Sequence, residues 1–219
     1  DSPGQAANHA LSLPTGYRSL DRVLEGRDWP RGNTVEMLSD GNGMGSMGTF
    51  LPAMEQLSQK EERWLLFVAP PAIPYAPLLE ARGIDIARVL LVHPRSREDL
   101  LWSIEQGLRS TTCSAVFAWL GAHRYRYAEL RRLQLAASGG DTLGVLFRPQ
   151  ASANEDAPAA LRIRLEGYRR LRIFKQRGGH PECSVRLPQS EDIPGQPQLW
   201  ELPSVATARV ERAALRTSA

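Results

Sequence analysis

Residues 36–50, EMLSDGNGMGSMGTF, place an apolar lead-in before a run of glycines and then the start of a helix, and this stretch decides the fold. A nucleotide-binding loop of the GxxxxGK[ST] kind uses its glycines to turn backbone N–H groups toward phosphate oxygens, and its lysine to reach the β- and γ-phosphates. No lysine is present here. The chain's two lysines, Lys60 and Lys175, both follow residues other than glycine, so a GK[ST] tripeptide occurs nowhere. The spacing predicts a strand, loop and helix with phosphate-loop geometry at Ser39, Gly41, Gly43, Gly45 and Ser46. It predicts no bound nucleotide and no other cofactor, because Asp40 would repel a phosphate and glycines also serve any tight turn.

On either side of the loop, apolar runs of strand length alternate with helical patterns. TVEML leads into the loop, and FLPAMEQLSQK sets Leu51, Met54 and Leu57 at helical spacing after it. RWLLFVAP, RVLLVHP, CSAVFAWL and LGVLFRP are continuous apolar runs of the kind buried on both faces of a parallel sheet. Between them lie helical patterns: PYAPLLEARGI closed by Gly83, SREDLLWSIEQGLRS capped by Ser96, and RYAELRRLQLAASGG closed by Gly139 and Gly140. ALRIRLEG and RRLRIFKQRGG alternate apolar and basic residues around Gly167, which reads as an antiparallel strand pair. The expected fold is α/β, a mainly parallel sheet flanked by helices, with that C-terminal pair attached. Residues 1–12 read as a flexible leader, 13–183 as the folded domain, and 184–219, rich in Pro and Gln, as a disordered tail.

A chain of 219 residues with 42% hydrophobic content can build one good-sized core. No apolar run reaches the length of about 18 residues that marks a membrane span, and no export signal precedes the core, so the expected location is the cytoplasm. The chain begins at Asp1 rather than Met, and its natural start is expected upstream. Cys113 and Cys183 form no disulfide framework, and His180 with Cys183 supplies only two potential ligands, so no metal site is predicted. Serines 39 and 46 have no base at useful spacing, which argues against a nucleophilic serine.

Candidate contact residues come from aromatic and basic positions. Trp64, Trp102 and Trp119 lie in apolar elements and are expected in the core, whereas Trp29 and Tyr75 adjoin prolines in turns and are candidates for partner contact. In the C-terminal pair, Arg162, Arg164, Arg169, Arg170, Arg172, Lys175, Arg177 and Arg186 face only Glu166 and Glu182. Alternation puts much of this charge on one face of the strands, a strip suited to nucleic acid or an acidic protein surface.

Six segments in order, from LPTGYRSLDRVLEGRDWPRGNTVEML through RWLLFVAPPAIPYAPLLEARGI, LLWSIEQGLRS, CSAVFAWL and LRRLQLAA to GVLFRP, resemble the ImuA family of damage-induced mutagenesis accessory proteins, relatives of RecA. The resemblance spans roughly residues 13–179 and implies a RecA-like core. Such a core hydrolyses ATP with a loop Lys-Thr, an acid closing the metal-holding strand, and a glutamate that orients water. The loop pair would fall within residues 44–46, the acid at Ala118 or Trp119, and the glutamate at Pro70 or Pro71, so all three roles are vacant. Losing one such group costs roughly 100- to 1,000-fold in rate, so the chain is expected not to be an enzyme. The resemblance implies an SOS translesion-synthesis adaptor, with RecA, ImuB and an error-prone DnaE-type polymerase as partners, weak DNA contact, and no small-molecule substrate. The alternative is a division inhibitor like SulA that binds a tubulin-like division protein.

Overall fold

The strand leading into the glycine loop, Thr34–Ser39 (β1), is buried along its whole length. It lies at the centre of the structure, a computed structural model that describes residues 12–40, 44–179 and 182–188. After the loop come a four-residue helix, Met44–Met47 (α2), and a 3-10 turn, Gly48–Phe50. Helix Leu51–Lys60 (α3) then buries Leu51, Ala53, Met54 and Leu57. A one-turn helix, Arg18–Asp21 (α1), precedes β1. The remaining parallel strands are Trp64–Val68 (β2), Val89–Val92 (β3), Cys113–Trp119 (β4) and Leu143–Pro149 (β5), joined through Ala76–Ala81 (α4), Arg97–Arg109 (α5) and Tyr127–Gly140 (α6). Leu161–Leu165 (β6), Arg170–Gln176 (β7) and Cys183–Arg186 (β8) complete an eight-stranded mixed sheet in the order β3-β2-β4-β5-β1-β6-β7-β8.

β6 is antiparallel to β7, as its alternation predicts, but its other edge pairs in parallel with β1, with Val35 opposite Leu161 and Met37 opposite Ile163. The strand pair is therefore a continuation of the main sheet and shares its core. β8 crosses the boundary expected at residue 184: it pairs with β7, and Val185 and the following Leu187 are buried. Its four residues are too short and too polar to show a strand period. Residues 1–11 of the leader and 189–219 of the tail lie outside the described residues.

Strand alternation divides the core in two. Val35, Met37, Leu65, Phe67, Phe117, Val145, Phe147, Ile163 and Ile173 face α3, α4 and the N-terminal segment. Leu66, Val68, Val116, Ala118 and Leu146 face α5 and α6. Ser96 caps α5 as expected, its Oγ accepting from the backbone N–H of Asp99 at 3.0 Å. Gly83 closes α4 at φ 72°, with the N–H of Ile84 donating to the carbonyl of Leu79.

Gly139 and Gly140 are the last residues of α6, as expected, but neither takes its left-handed cap. The helix runs through Gly140 and closes at Asp141 in the left-handed region, φ 49°. A Cβ on Gly140 would lie 2.1 Å from the carbonyl oxygen of Leu108, so this glycine permits the close approach of α5 and α6.

The tryptophans reverse two expectations. Trp102 is 64% exposed and Trp64 40% exposed, while Trp29 is 1% exposed. On α5 the core face is Leu100, Ile104 and Leu108, and residue 102 points the other way at 100° per residue. Trp64 opens its strand at the sheet's rim. Trp29, by contrast, lies 4.6 Å from the Phe50 ring under the N-terminal segment, so it is core and not a partner contact.

Candidate functional site

Ligands on open α/β sheets sit beyond the carboxyl ends of the strands. Here those ends frame a cleft of about 460 Å³ lined by Ser39, Ala69, Pro71, Leu100, Trp119, Leu120, Gly121, Ala122, His123, Phe147, Arg148 and Pro149. Ser39 and Ser46 are buried, at 4% and 0% exposure. Gly41 and Gly43 lie outside the described residues, and Gly45 belongs to the four-residue α2. The carboxyl ends of β2, β4 and β5 present apolar groups to this cleft. Trp119 stacks on Phe147 with centroids 4.5 Å apart and planes 18° apart, and Phe67 stacks behind it at 6.2 Å. After β2 the chain turns through Ala69 at φ 53°, whose N–H donates to Val92, and then through two prolines. No carboxylate lines the cleft, and no three acids, histidines or cysteines gather as metal ligands among the described residues.

MgATP is accordingly expected to leave the melting temperature unchanged. A ligand at 100 times its Kd adds about 2.7 kcal/mol, a shift that differential scanning fluorimetry resolves. A magnesium-dependent rise would show that the loop binds nucleotide without its lysine.

Behind the cleft lies a buried ionic cluster that the apolar reading of the strands misses. Glu36, in the middle of β1, accepts from Arg148 Nη1 at 3.1 Å and from Arg162 Nε at 2.8 Å. The side chains of Glu36, Arg148 and Arg162 are 1%, 0% and 6% exposed. Arg148 also donates to Glu155, and Arg162 donates to the carbonyls of Ser152 and Ala153 at 2.8 and 3.2 Å. The cluster thus ties β1, β5, β6 and the turn at Gln150–Asn154 together. Its edge is Tyr125, whose ring lies under the guanidinia of Arg97 and Arg148 and whose hydroxyl donates to Leu120 at 2.8 Å. Burial pushes the Tyr125 hydroxyl above its usual pKa against the pull of those arginines. At the start of α6, the hydrogen bond from Arg97 holds the Glu129 carboxyl below the usual range. The one signal in the sequence is a charge in mid-strand, Glu36 in TVEML and Arg148 in LFRP, since a buried charge requires a partner.

The same cluster sorts the basic candidates. Arg162 is internal, so it is not a surface contact. Lys175 donates to the carbonyl of Ala157, and burial together with Arg162 lowers its pKa. Arg169, at φ 57° in the turn, donates to the carbonyl of Pro188. Arg177 reaches Asn33 at 3.5 Å, at the far end of the strands. Arg164 is half-buried over Phe174, while Arg170 and Arg186 are exposed. Tyr75 is 51% exposed beside Ile73, well away from these arginines in a turn before α4. The expected strip therefore keeps Arg164, Arg170, Arg172 and Arg186 and loses Arg162 to the interior, while Lys175 is half-buried with its ammonium held by the Ala157 carbonyl.

A family model described as cell division inhibitor SulA matches residues 35–144, from β1 to the start of β5. The chain belongs to the SulA family. It is 35% identical over 115 residues to the cell division inhibitor SulA of Cronobacter sakazakii, covering 52% of this chain and 67% of that one. To the SulA of Edwardsiella piscicida it is 29% identical over 138 residues, covering 61% and 81%. The crystal structure of SulA from Pseudomonas aeruginosa aligns at 25% identity with a TM-score of 0.43, covering 55% of this chain and 99% of that one.

This membership corrects the resemblance to ImuA and the translesion role drawn from it. RecA, ImuB and a DnaE-type polymerase fall as partners, and so does the weak DNA contact that accompanied them. The resemblance rested mainly on apolar strand and helix segments, and buried elements of one sheet architecture produce such segments in related families alike. The SulA match itself starts after the LPTGYRSLD segment and ends before the basic strands.

Proposed function

We propose that this chain is a division inhibitor that acts by binding a tubulin-like division protein, one copy to one, without catalysis, in the cytoplasm and as part of the SOS response to DNA damage. The observation that carries the reading is the match over residues 35–144 to a family whose members bear the name cell division inhibitor. The aromatic stack at the ends of β4 and β5 supports a non-catalytic mode, since it occupies the ground where a metal and a water would work. A RecA-like origin for the core is part of this proposal. It rests on the strand order β3-β2-β4-β5-β1 and on a glycine loop directly after β1.

The test is induced expression in a rod-shaped bacterium, paired with sedimentation of polymers of the purified tubulin-like protein. Cells should grow into filaments while continuing to replicate DNA, and the pelleted polymer should fall with dose and vanish near equimolar inhibitor. Normal cell length with soluble protein present and unchanged polymer would overturn the reading. Loss of polymer at far below equimolar dose would overturn its non-catalytic part.

A further inference from the structure

The face of β6, β7 and β8 turned away from the first core carries arginines that oppose each other directly. Arg164 on β6 is the register partner of Arg172 on β7, and Arg170 on β7 is the partner of Arg186 on β8. Like charges directly opposite across a ladder are destabilising, and a sheet usually mixes signs there. Helices α5 and α6 pack on β1, β2, β4 and β5, which leaves Arg170 and Arg186 exposed. The charge is answered only in part. Arg172 pairs with Glu166 at 3.5 Å and Glu182 at 3.6 Å, long contacts at an exposed site. Arg164 lies over Phe174, and its Nε is buried without a hydrogen-bond partner among the described residues. Arg170 and Arg186 make no ion pair among the described residues. The whole strip lies beyond residue 144, where the family match ends.

We infer that this arginine rank is a docking surface for a short acidic peptide segment in extended conformation, with carboxylates at alternate positions. Arg170 and Arg172 are two residues apart on one strand face, about 6.8 Å along it. An extended Glu-x-Glu segment presents carboxylates at the same repeat. Each carboxylate can take a guanidinium in a bidentate bond, the pairing for which arginine is suited above lysine. The strip's own acids, Glu166 and Glu182, both sit on Arg172, so four guanidinia meet two carboxylates and the unanswered charge lies at Arg164, Arg170 and Arg186. A continuous phosphate chain would have to run past both acids, whereas a short segment with about two carboxylates neutralises the surplus left on Arg164, Arg170 and Arg186.

Fluorescence anisotropy on the full chain tests this with two labelled peptides of equal length and charge. One alternates Glu and Ser, and the other carries its Glu in a single block. A labelled oligothymidylate of matching charge is the third probe. The alternating peptide should bind tightest, lose affinity as salt rises, and bind roughly tenfold or more weakly to Arg170→Glu/Arg172→Glu. Equal binding of the block peptide, tighter binding of the oligothymidylate, or an unchanged affinity in the double variant would overturn the inference. The melting temperature of the double variant reports its folding. If that variant does not fold, Arg186→Glu on the exposed β8 is read in the same way, with a several-fold loss supporting the inference and no loss overturning it.

Discussion

Replacing Glu36 with alanine is expected to lower stability by about 3–5 kcal/mol, because it leaves the guanidinia of Arg148 and Arg162 buried without their shared carboxylate. At roughly 2–4 °C per kcal/mol for a chain of this size, the melting temperature should fall by about 6–20 °C. Urea unfolding should show the loss as a lower midpoint at unchanged slope. The cost belongs to the orphaned charges and not to the ion pair as such. The triple change Glu36→Leu, Arg148→Met and Arg162→Leu is therefore expected to recover most of the loss, since apolar groups of similar size remove the need for partners. Glu155, at 22% side-chain exposure, can turn to water once Arg148 is gone. A Glu36→Ala protein within 1 kcal/mol of the parent would mean that water enters the cluster and supplies what the carboxylate does.

Trp29→Ala should cost about 3–5 kcal/mol, the range for emptying a large aromatic site in a core that cannot collapse around the space. Trp29 packs on Phe50, which in turn meets Phe117 and Phe147 edge-on at 6.0 and 6.1 Å, so the cavity would open at the junction of the N-terminal segment and the sheet. The indole Nε1 has no hydrogen-bond partner among the described residues, so Trp29→Phe should keep most of the stability. Trp102→Ala, on the outer face of α5, should stay within about 0.5 kcal/mol. Urea midpoints of the three variants decide the matter. Equal losses for Trp29→Ala and Trp102→Ala would show that the packing of these two indoles has been misjudged.

The amino-acid sequence determined seven of the eight strands, the helices between them and their alternation, but not β8. Four apolar runs of strand length, the serine cap at Ser96 and the glycine closing α4 are local signals, each complete within a few residues. The absence of a loop lysine, of an acid at Trp119 and of a glutamate at Pro70 could likewise be read from residue identity alone. Tertiary structure decided which face each residue presents and what stands across from it. Trp29 and Trp102 exchanged their expected places because burial depends on what packs over a residue, and a turn beside a proline can lie beneath another segment. Gly140 serves a helix contact with Leu108 that no sequence period reveals. Arg162 and Arg164 alternate identically along β6. Yet one is drawn inward by Glu36, more than a hundred positions earlier, while the other meets Arg172 across the ladder. Charge partners so distant along the chain are set by strand order and register, and those depend on long-range pairing rather than on the local run of residues.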